Sequence, residues 1–317
     1  CFDWNESEFP PSNKVFEVMK SFYRYERYPD ITAKELKVKL SEYVSLPADF
    51  IEVYNGSDDA LKDIITVFVD RETNVLSYQP SYTQVNTFIT TNTDKYIKAN
   101  ILDPLGEHSY NFNLCNDADV VYLVNPNNPT GKLLEVDKIE ELVKSHPDVL
   151  FIIDEAYYEF AKTSSCHLVV SHKNLIVTRT FSKAFGLASV RLGYCMGHPD
   201  TLSHLKKIRN GKAVNTLAQM CGIAALDDLD YLDSRIDEMN DAKKFFIDNL
   251  PHQYYAVDSH TNFVLLKTPN AKELLDKMKS NKILIRDRSS FTNLDDCVRI
   301  TIGSKKQIIR VLNVINL

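Results

Sequence analysis

The chain has 317 residues, 44% hydrophobic and 25% charged, with a net charge of −6, an ordinary globular composition that can fill one large domain and a smaller one. That acidic balance, without any run of Lys and Arg, leaves no surplus to neutralise phosphates, so nucleic acid is not an expected partner. No apolar run approaches the roughly 20 residues that cross a bilayer, the opening CFDWNESEFPPS lacks a leader pattern, and the six cysteines show no CxxC or Cys/His ligand spacing. These features predict a cytoplasmic chain with free thiols, no structural metal and no membrane partner.

Residues 1–30 are polar, aromatic and punctuated by Pro, which predicts an extended arm rather than a packed element. T-A-K-E from Thr32 matches a capping box, and Leu36, Leu40 and Tyr43 then recur at helical spacing, so a helix is expected to start there. VLSY at 75–78, VVYLV at 120–124, VLFIID at 149–154 and LIVTRTF at 175–181 predict buried strands. Between the second and third, Val136, Ile139, Leu142 and Val143 mark one helix face. Strands alternating with helices imply an α/β domain whose mostly parallel sheet lies between helices. Beyond residue 200 a charged amphipathic stretch, Leu226 to Leu250, suits a bridge between two bodies. It leads to NFVLLK at 262–267, a helix near 271–280, ILIR at 283–286, VRITIG at 298–303 and a terminal helix, a smaller α+β unit.

Five clusters fall at strand ends, where open α/β sheets bind ligands. In T-R-T-F-S-K-A-F-G-L-A-S-V-R-L-G-Y, Lys183 follows a strand amid the hydroxyls of Thr180 and Ser182, with Arg191 beyond. A lysine attacks an aldehyde only when deprotonated, so such a residue needs burial or cationic neighbours, and the hydroxyls and Arg suit a phosphate. Taken singly, an S-K pair is usually an ordinary surface lysine. V-N-P-N-N-P-T-G at 124–131 reads as a turn, or as a ligand contact through Asn128. In I-I-D-E-A-Y-Y-E-F, Asp154 is either a helix N-cap or a buried carboxylate with a cationic partner such as a protonated ring nitrogen, with Tyr157 in reach of the same ring. Gly56, Ser57 and Asp58 form either a plain N-cap or a phosphate site at a helix N-terminus, and Tyr82 of P-S-Y is either core or a stacking ring.

In this order, and with W-N-E-S-E-F-P-P-S, R-Y-P-D, G-S-D-D, I-R-D-R and V-R-I-T-I-G, the segments resemble fold-type I pyridoxal 5'-phosphate (PLP) enzymes of the class I/II aminotransferase group, and within it the histidinol-phosphate aminotransferase branch. The resemblance runs nearly end to end. It implies the PLP-dependent transferase fold: an arm over 1–30 that packs with the small domain and a dimer partner, a large domain over 31–225 with a seven-stranded sheet, and a small domain over 226–317. It implies Lys183 as the Schiff-base lysine, Asp154 as partner of the pyridinium, and Asn128 and Tyr157 at the ring's phenolic oxygen. Tyr82 would stack on the ring. Ser57, Asp58, Thr180, Ser182 and Arg191 would surround the cofactor phosphate, with Tyr28 reaching over from a second subunit in a homodimer with shared active sites. Arg299, Arg286 and Asn5 would meet the substrate.

The implied activity is transamination between a small anionic, phosphorylated amine or amino acid and a keto or aldehyde acceptor. Decarboxylation of a phosphoamino acid, as in threonine-phosphate decarboxylases, is the alternative. Two departures stand out: N-E-S-E-F-P-P replaces the family's N-E-N-P-Y-G-P at the substrate end, and Ser189 replaces a usual Gly in the lysine segment, a small change expected to be tolerated.

Overall fold

The computed structural model describes residues 2–317. Seven strands, β1 (Ile51–Tyr54), β2 (Val75–Gln79), β3 (Tyr96–Asn100), β4 (Val120–Val124), β5 (Leu150–Asp154), β6 (Leu175–Thr180) and β7 (Gly193–Gly197), make one sheet in the order β1-β7-β6-β5-β4-β2-β3. Only β7 runs antiparallel to its neighbours. The central strands are rich in Val, Ile and Leu and almost wholly buried because both faces are covered, β6 carrying the buried Thr178, Arg179 and Thr180 at its end. On one face lie α1 (Asn13–Ser21), α2 (Lys34–Val44), α5 (Val136–Ser145) and α8 (Thr216–Leu226); on the other lie α3 (Ser57–Phe68), α4 (Gln84–Asn92) and α7 (Pro199–Lys206). The sheet is the α/β architecture the sequence implies.

A short α6 (Tyr158–Ala161) follows β5, and α9 (Leu229–Asp248) leaves the large unit. Leu232 and Ile236 of α9 sit in the large core while Met239, Ala242 and Phe246 sit in a second one, so this helix does connect two bodies. The second body has strands β8 (Tyr255–Ala256), β9 (Phe263–Lys267), β10 (Arg286–Asp287) and β11 (Cys297–Thr301), with α10 (Ala271–Ser280) and α11 (Lys305–Ile315). Its antiparallel sheet runs β10-β11-β9-β8. No helix among the described residues is long and apolar enough to cross a membrane, and the five described cysteines are free and buried.

Three local expectations fail. The arm is not extended throughout: residues 13–21 form α1, which buries Val15 completely and lies against α8, its apolar face outweighing the Pro punctuation that precedes it. The capping box at Thr32 does not form, because Asp30 takes its place. The Asp30 carboxylate accepts from the backbone N–H groups of Thr32 and Lys34 at 2.9 Å each, and the helix starts at Lys34 behind a left-handed Ala33. ILIR is not a full strand; Ile285 makes one isolated bridge to Phe2, and pairing begins at Arg286.

Beneath β5 and β6 lies a buried charge cluster. Arg179 and Glu155, each 1% exposed, pair at 3.0 Å, and Ser165 donates to Glu155 through N–H and Oγ at 2.7 and 2.8 Å. Glu159 alongside is buried with Oε2 unpartnered, and burial pushes its pKa up to about 7 despite Arg179. The unfolded chain ionises this carboxyl near its usual 4.5, so folding stability is lost as pH rises from about 4.5 to 7, on the order of 3 kcal/mol. Thermal melts of wild type and Glu159→Gln at pH 5 and pH 8 are expected to show the variant gaining on wild type at the higher pH. A constant difference would contradict this.

Candidate active site

The carboxyl ends of β1, β2, β4, β5 and β6 open on a cavity of about 670 Å³, roofed by β10, β11 and residues 3–6. Every site residue inferred from the sequence lines it except Tyr28: Asn5, Ser57, Asp58, Tyr82, Asn128, Asp154, Tyr157, Thr180, Ser182, Lys183, Arg191, Arg286 and Arg299. Tyr28 is 81% exposed, its ring 4.9 Å from the Lys212 ammonium, away from this chain's cavity.

Asp154 ends β5 and is not a helix cap. It is 3% exposed, and its partners are neutral donors: Tyr122 OH at 2.9 Å, Thr178 Oγ1 at 3.3 Å and Ala156 N at 3.2 Å. Burial pushes its pKa up to about 6, against the Tyr122 hydrogen bond and helped by Asp58. A carboxylate kept in the interior without a cation is costly unless a ligand brings one. The Lys183 amine donates to the Trp4 carbonyl at 3.1 Å. Its pKa is pushed down to about 8, chiefly by burial and next by Arg299.

The phosphate-like end is built from backbone. α3 starts at Ser57, so its first N–H groups point into the cavity with the positive end of the helix behind them. Gly56 holds φ +86°, and a Cβ there would meet the Arg191 guanidinium at 2.7 Å; one on Gly193 would collide with the backbone nitrogen of Ser57. Only glycines let strand, helix start and arginine close up in this way. Arg191 donates to Ser182 Oγ at 3.3 Å and stands 3.8 Å from Asp58, whose carboxylate also accepts from Tyr82 OH at 2.9 Å. The Asp58 side chain is thus committed to Tyr82 and Arg191, leaving its N–H for an anion.

On the small-unit side Tyr157 OH accepts from Asn5 Nδ2 at 2.8 Å and Asn128 Nδ2 at 3.5 Å, and Arg299 donates to Asn128 Oδ1 at 2.6 Å. Arg286, Arg288 and Arg299 all line the cavity, and each has a buried Nε without a partner. Burial, then the mutual repulsion of the three, holds Arg288 down at about 9; burial first of all brings Arg299 to about 10.

Sequence reading missed Arg288, Trp4, Tyr122 and Thr178. Arg288 was findable, two residues beyond Arg286 and so on the same side of an extended segment, as was Thr178, the register partner of Asp154 across β5 and β6. Trp4 lines the cavity, whereas Phe9, at the altered family motif, packs beneath Arg235 outside it. Ser189 sits at the cavity edge with room for its side chain.

This donor set fits a planar, phosphorylated pyridine aldehyde: an amine of lowered pKa, a buried carboxylate short of a cation, and a helix start with an arginine for a phosphate. Known proteins agree. Residues 2–315 match the aminotransferase class I and II family. A dihydroxyacetone phosphate transaminase of Campylobacter jejuni is 37% identical, covering 96% of this chain and 86% of that protein. A histidinol-phosphate aminotransferase of Geotalea daltonii is 31% identical, covering 96% and 88%. Among solved structures, histidinol-phosphate aminotransferase from Sinorhizobium meliloti in complex with pyridoxal-5'-phosphate superposes with a TM-score of 0.92 at 24% identity, covering 99% of this chain and 89% of that one. L-threonine-O-3-phosphate decarboxylase from Porphyromonas gingivalis gives 0.85 at 25% identity, covering 99% and 98%. The chain therefore belongs to the aminotransferase class I and II family and is a PLP-dependent aminotransferase.

Proposed function

We propose that the enzyme moves an amino group between a small phosphorylated amine and a keto or aldehyde acceptor, at a site whose catalytic residues are Lys183, Asp154 and Tyr157. The observation that carries the substrate class is the arginine trio: three guanidinium groups with unmet Nε donors crowd the small-unit side. Their repulsion is relieved best by a dianion, and Arg binds phosphate through paired N–H donors. Phosphate also stands in the names of both relatives above.

Bound PLP supplies an aldehyde and a ring that accepts the electron pair left when a bond at the substrate Cα breaks. The chain's own residues do the rest. Lys183 Nζ, with a pKa near 8, keeps a neutral fraction at pH 7 to 8 and takes the Cα proton. Asp154 holds positive charge at the ring nitrogen, and Tyr157, steadied by Asn5 and Asn128, donates at the phenolic oxygen. Ser57 N–H, Asp58 N–H, Thr180, Ser182 and Arg191 fix the cofactor phosphate, with Tyr82 against the ring face.

In this reading residues 31–225 hold the cofactor, 226–317 form the small domain, 1–30 are an arm, and the enzyme is a cytoplasmic homodimer with shared sites. The exposed Tyr23, Tyr25 and Tyr28, at 73–81% exposure, support the dimer, aromatic residues with Arg being what interfaces favour.

Replacing Arg288 with Leu removes one charged contact, about 1.5 to 3 kcal/mol. It is expected to raise KM for a phosphorylated amine roughly 10- to 150-fold with little change in kcat, and to leave an unphosphorylated analogue untouched; equal effects on both would refute the phosphate assignment. The decarboxylase likeness supports a second reading. Incubation with glutamate separates them: an aminotransferase releases 2-oxoglutarate, a decarboxylase releases carbon dioxide from a phosphoamino acid instead.

A further inference from the structure

We propose that His108, which does not line the cavity, is a positioning residue that locks together the two loops expected to hold the cofactor ring; the inference rests on the function proposed above. His108 is 7% exposed and sits in the left-handed region at φ 62°, at the end of the turn closed by the reciprocal bonds between Leu102 and Ser109. Its Nε2 lies 3.1 Å from Thr130 Oγ1. Thr130 Oγ1 lies 2.9 Å from Asn127 Oδ1, and Asn127 Nδ2 donates to the Pro80 carbonyl at 3.2 Å.

The directions in this chain are forced. Asn127 Oδ1 can only accept, so it takes Thr130's single hydroxyl proton; the Thr130 oxygen must then accept from His108, whose Nε2 carries the hydrogen. The line of donors runs one way, from His108 through Thr130 and Asn127 to Pro80. It ends two residues before Tyr82 and passes the residue adjacent to Asn128. A buried imidazole therefore sets the spacing between the ring-face loop and the phenolic-oxygen loop. Burial, and next the Lys132 ammonium, pushes its pKa down to about 4 against Asp103, so the donor is neutral in working conditions.

The same turn leans on the small unit. Leu105 packs against Val257, Leu265, Leu294 and Cys297, beside Phe291 of the cavity wall, and Tyr255 OH donates to the Leu105 carbonyl at 3.3 Å. His108 thereby ties the ring-holding loops to the body that carries the arginines.

The test uses the full chain. Trp4 is its only tryptophan and lines the cavity, so its fluorescence follows PLP binding to the apoprotein without any turnover. His108→Ala is expected to weaken PLP binding about tenfold, the worth of one hydrogen bond, and to move the pH midpoint of the bound cofactor's visible band. His108→Gln, which keeps a donor, is expected to restore both within about threefold. If the Ala variant does not fold, Thr130→Val breaks the same relay and is expected to act alike. Lowered thermal stability with PLP affinity and band midpoint at wild-type values would overturn the inference and leave the functional reading standing. Wild type failing to bind PLP would overturn both.

Discussion

Lys183→Ala is expected to abolish turnover, a loss of at least about 10⁴-fold, and to remove the visible absorbance that marks cofactor attached to a lysine. The size follows from two jobs lost together, covalent attachment and proton transfer, of which the second alone is worth about 10² to 10⁴. Folding should be unharmed, because the amine's one hydrogen bond is to the Trp4 carbonyl and burying it is a cost. Added methylamine can replace the proton carrier in part; rescue by such an amine, rising with pH, is the expected signature of a missing base. Turnover within tenfold of wild type would remove Lys183 from the mechanism.

Asp154→Asn is expected to move stability and activity in opposite directions. The carboxyl's pKa stands near 6 in the fold against 3.8 free, so the unfolded state ionises first and stability is lost as pH rises from about 3.8 to 6. At pH 7 the apoprotein carries that penalty in full, on the order of 3 kcal/mol. The amide removes it while keeping an acceptor for Tyr122 and the shape of the side chain. Melting of the apo variant at pH 7 is therefore expected above wild type. Turnover should fall roughly 10² to 10⁴-fold, since a neutral amide cannot hold charge at the ring nitrogen. PLP should raise the melting temperature of wild type more than that of the variant. Sites selected for chemistry commonly store instability of this kind. A variant less stable than wild type and still active would mean that Asp154 serves the fold.

Much of this was legible in the residues because chemistry and hydrophobic period coincide. The strands ending at Val124 and Asp154 are apolar up to their last residue and the one ending at Thr180 opens with the apolar L-I-V, and each delivers its functional side chain within a few residues of the strand's end. β1 was not legible: Glu52 interrupts I-E-V-Y, yet it is 1% exposed because Lys37, Lys206 and Arg209, all distant in sequence, stand within 2.8 to 3.3 Å of it. Partners supplied only by tertiary structure cannot be read from a local window. β3, at the sheet edge, alternates too weakly in burial to declare itself, and β7, G-Y-C-M-G, begins within the last two residues of the lysine motif and is bounded by glycines. The arginine trio was two-thirds legible. Arg286 and Arg299 were singled out; Arg288, just past the last paired residue of β10, was overlooked although its spacing from Arg286 puts it on the same side.

One measurement bears most directly on the central claim: PLP is bound to the protein, reduced with borohydride, and the modified peptide is located by mass spectrometry. Lys243 is the instructive competitor, since burial brings its pKa to about 8 as well, against the pull of Asp258, but its amine donates to the Ser259 and Thr261 carbonyls at 2.7 and 3.0 Å and does not line the cavity. One stoichiometric label is expected, on the peptide carrying Lys183. Label on Lys243, or spread over surface lysines, would contradict it.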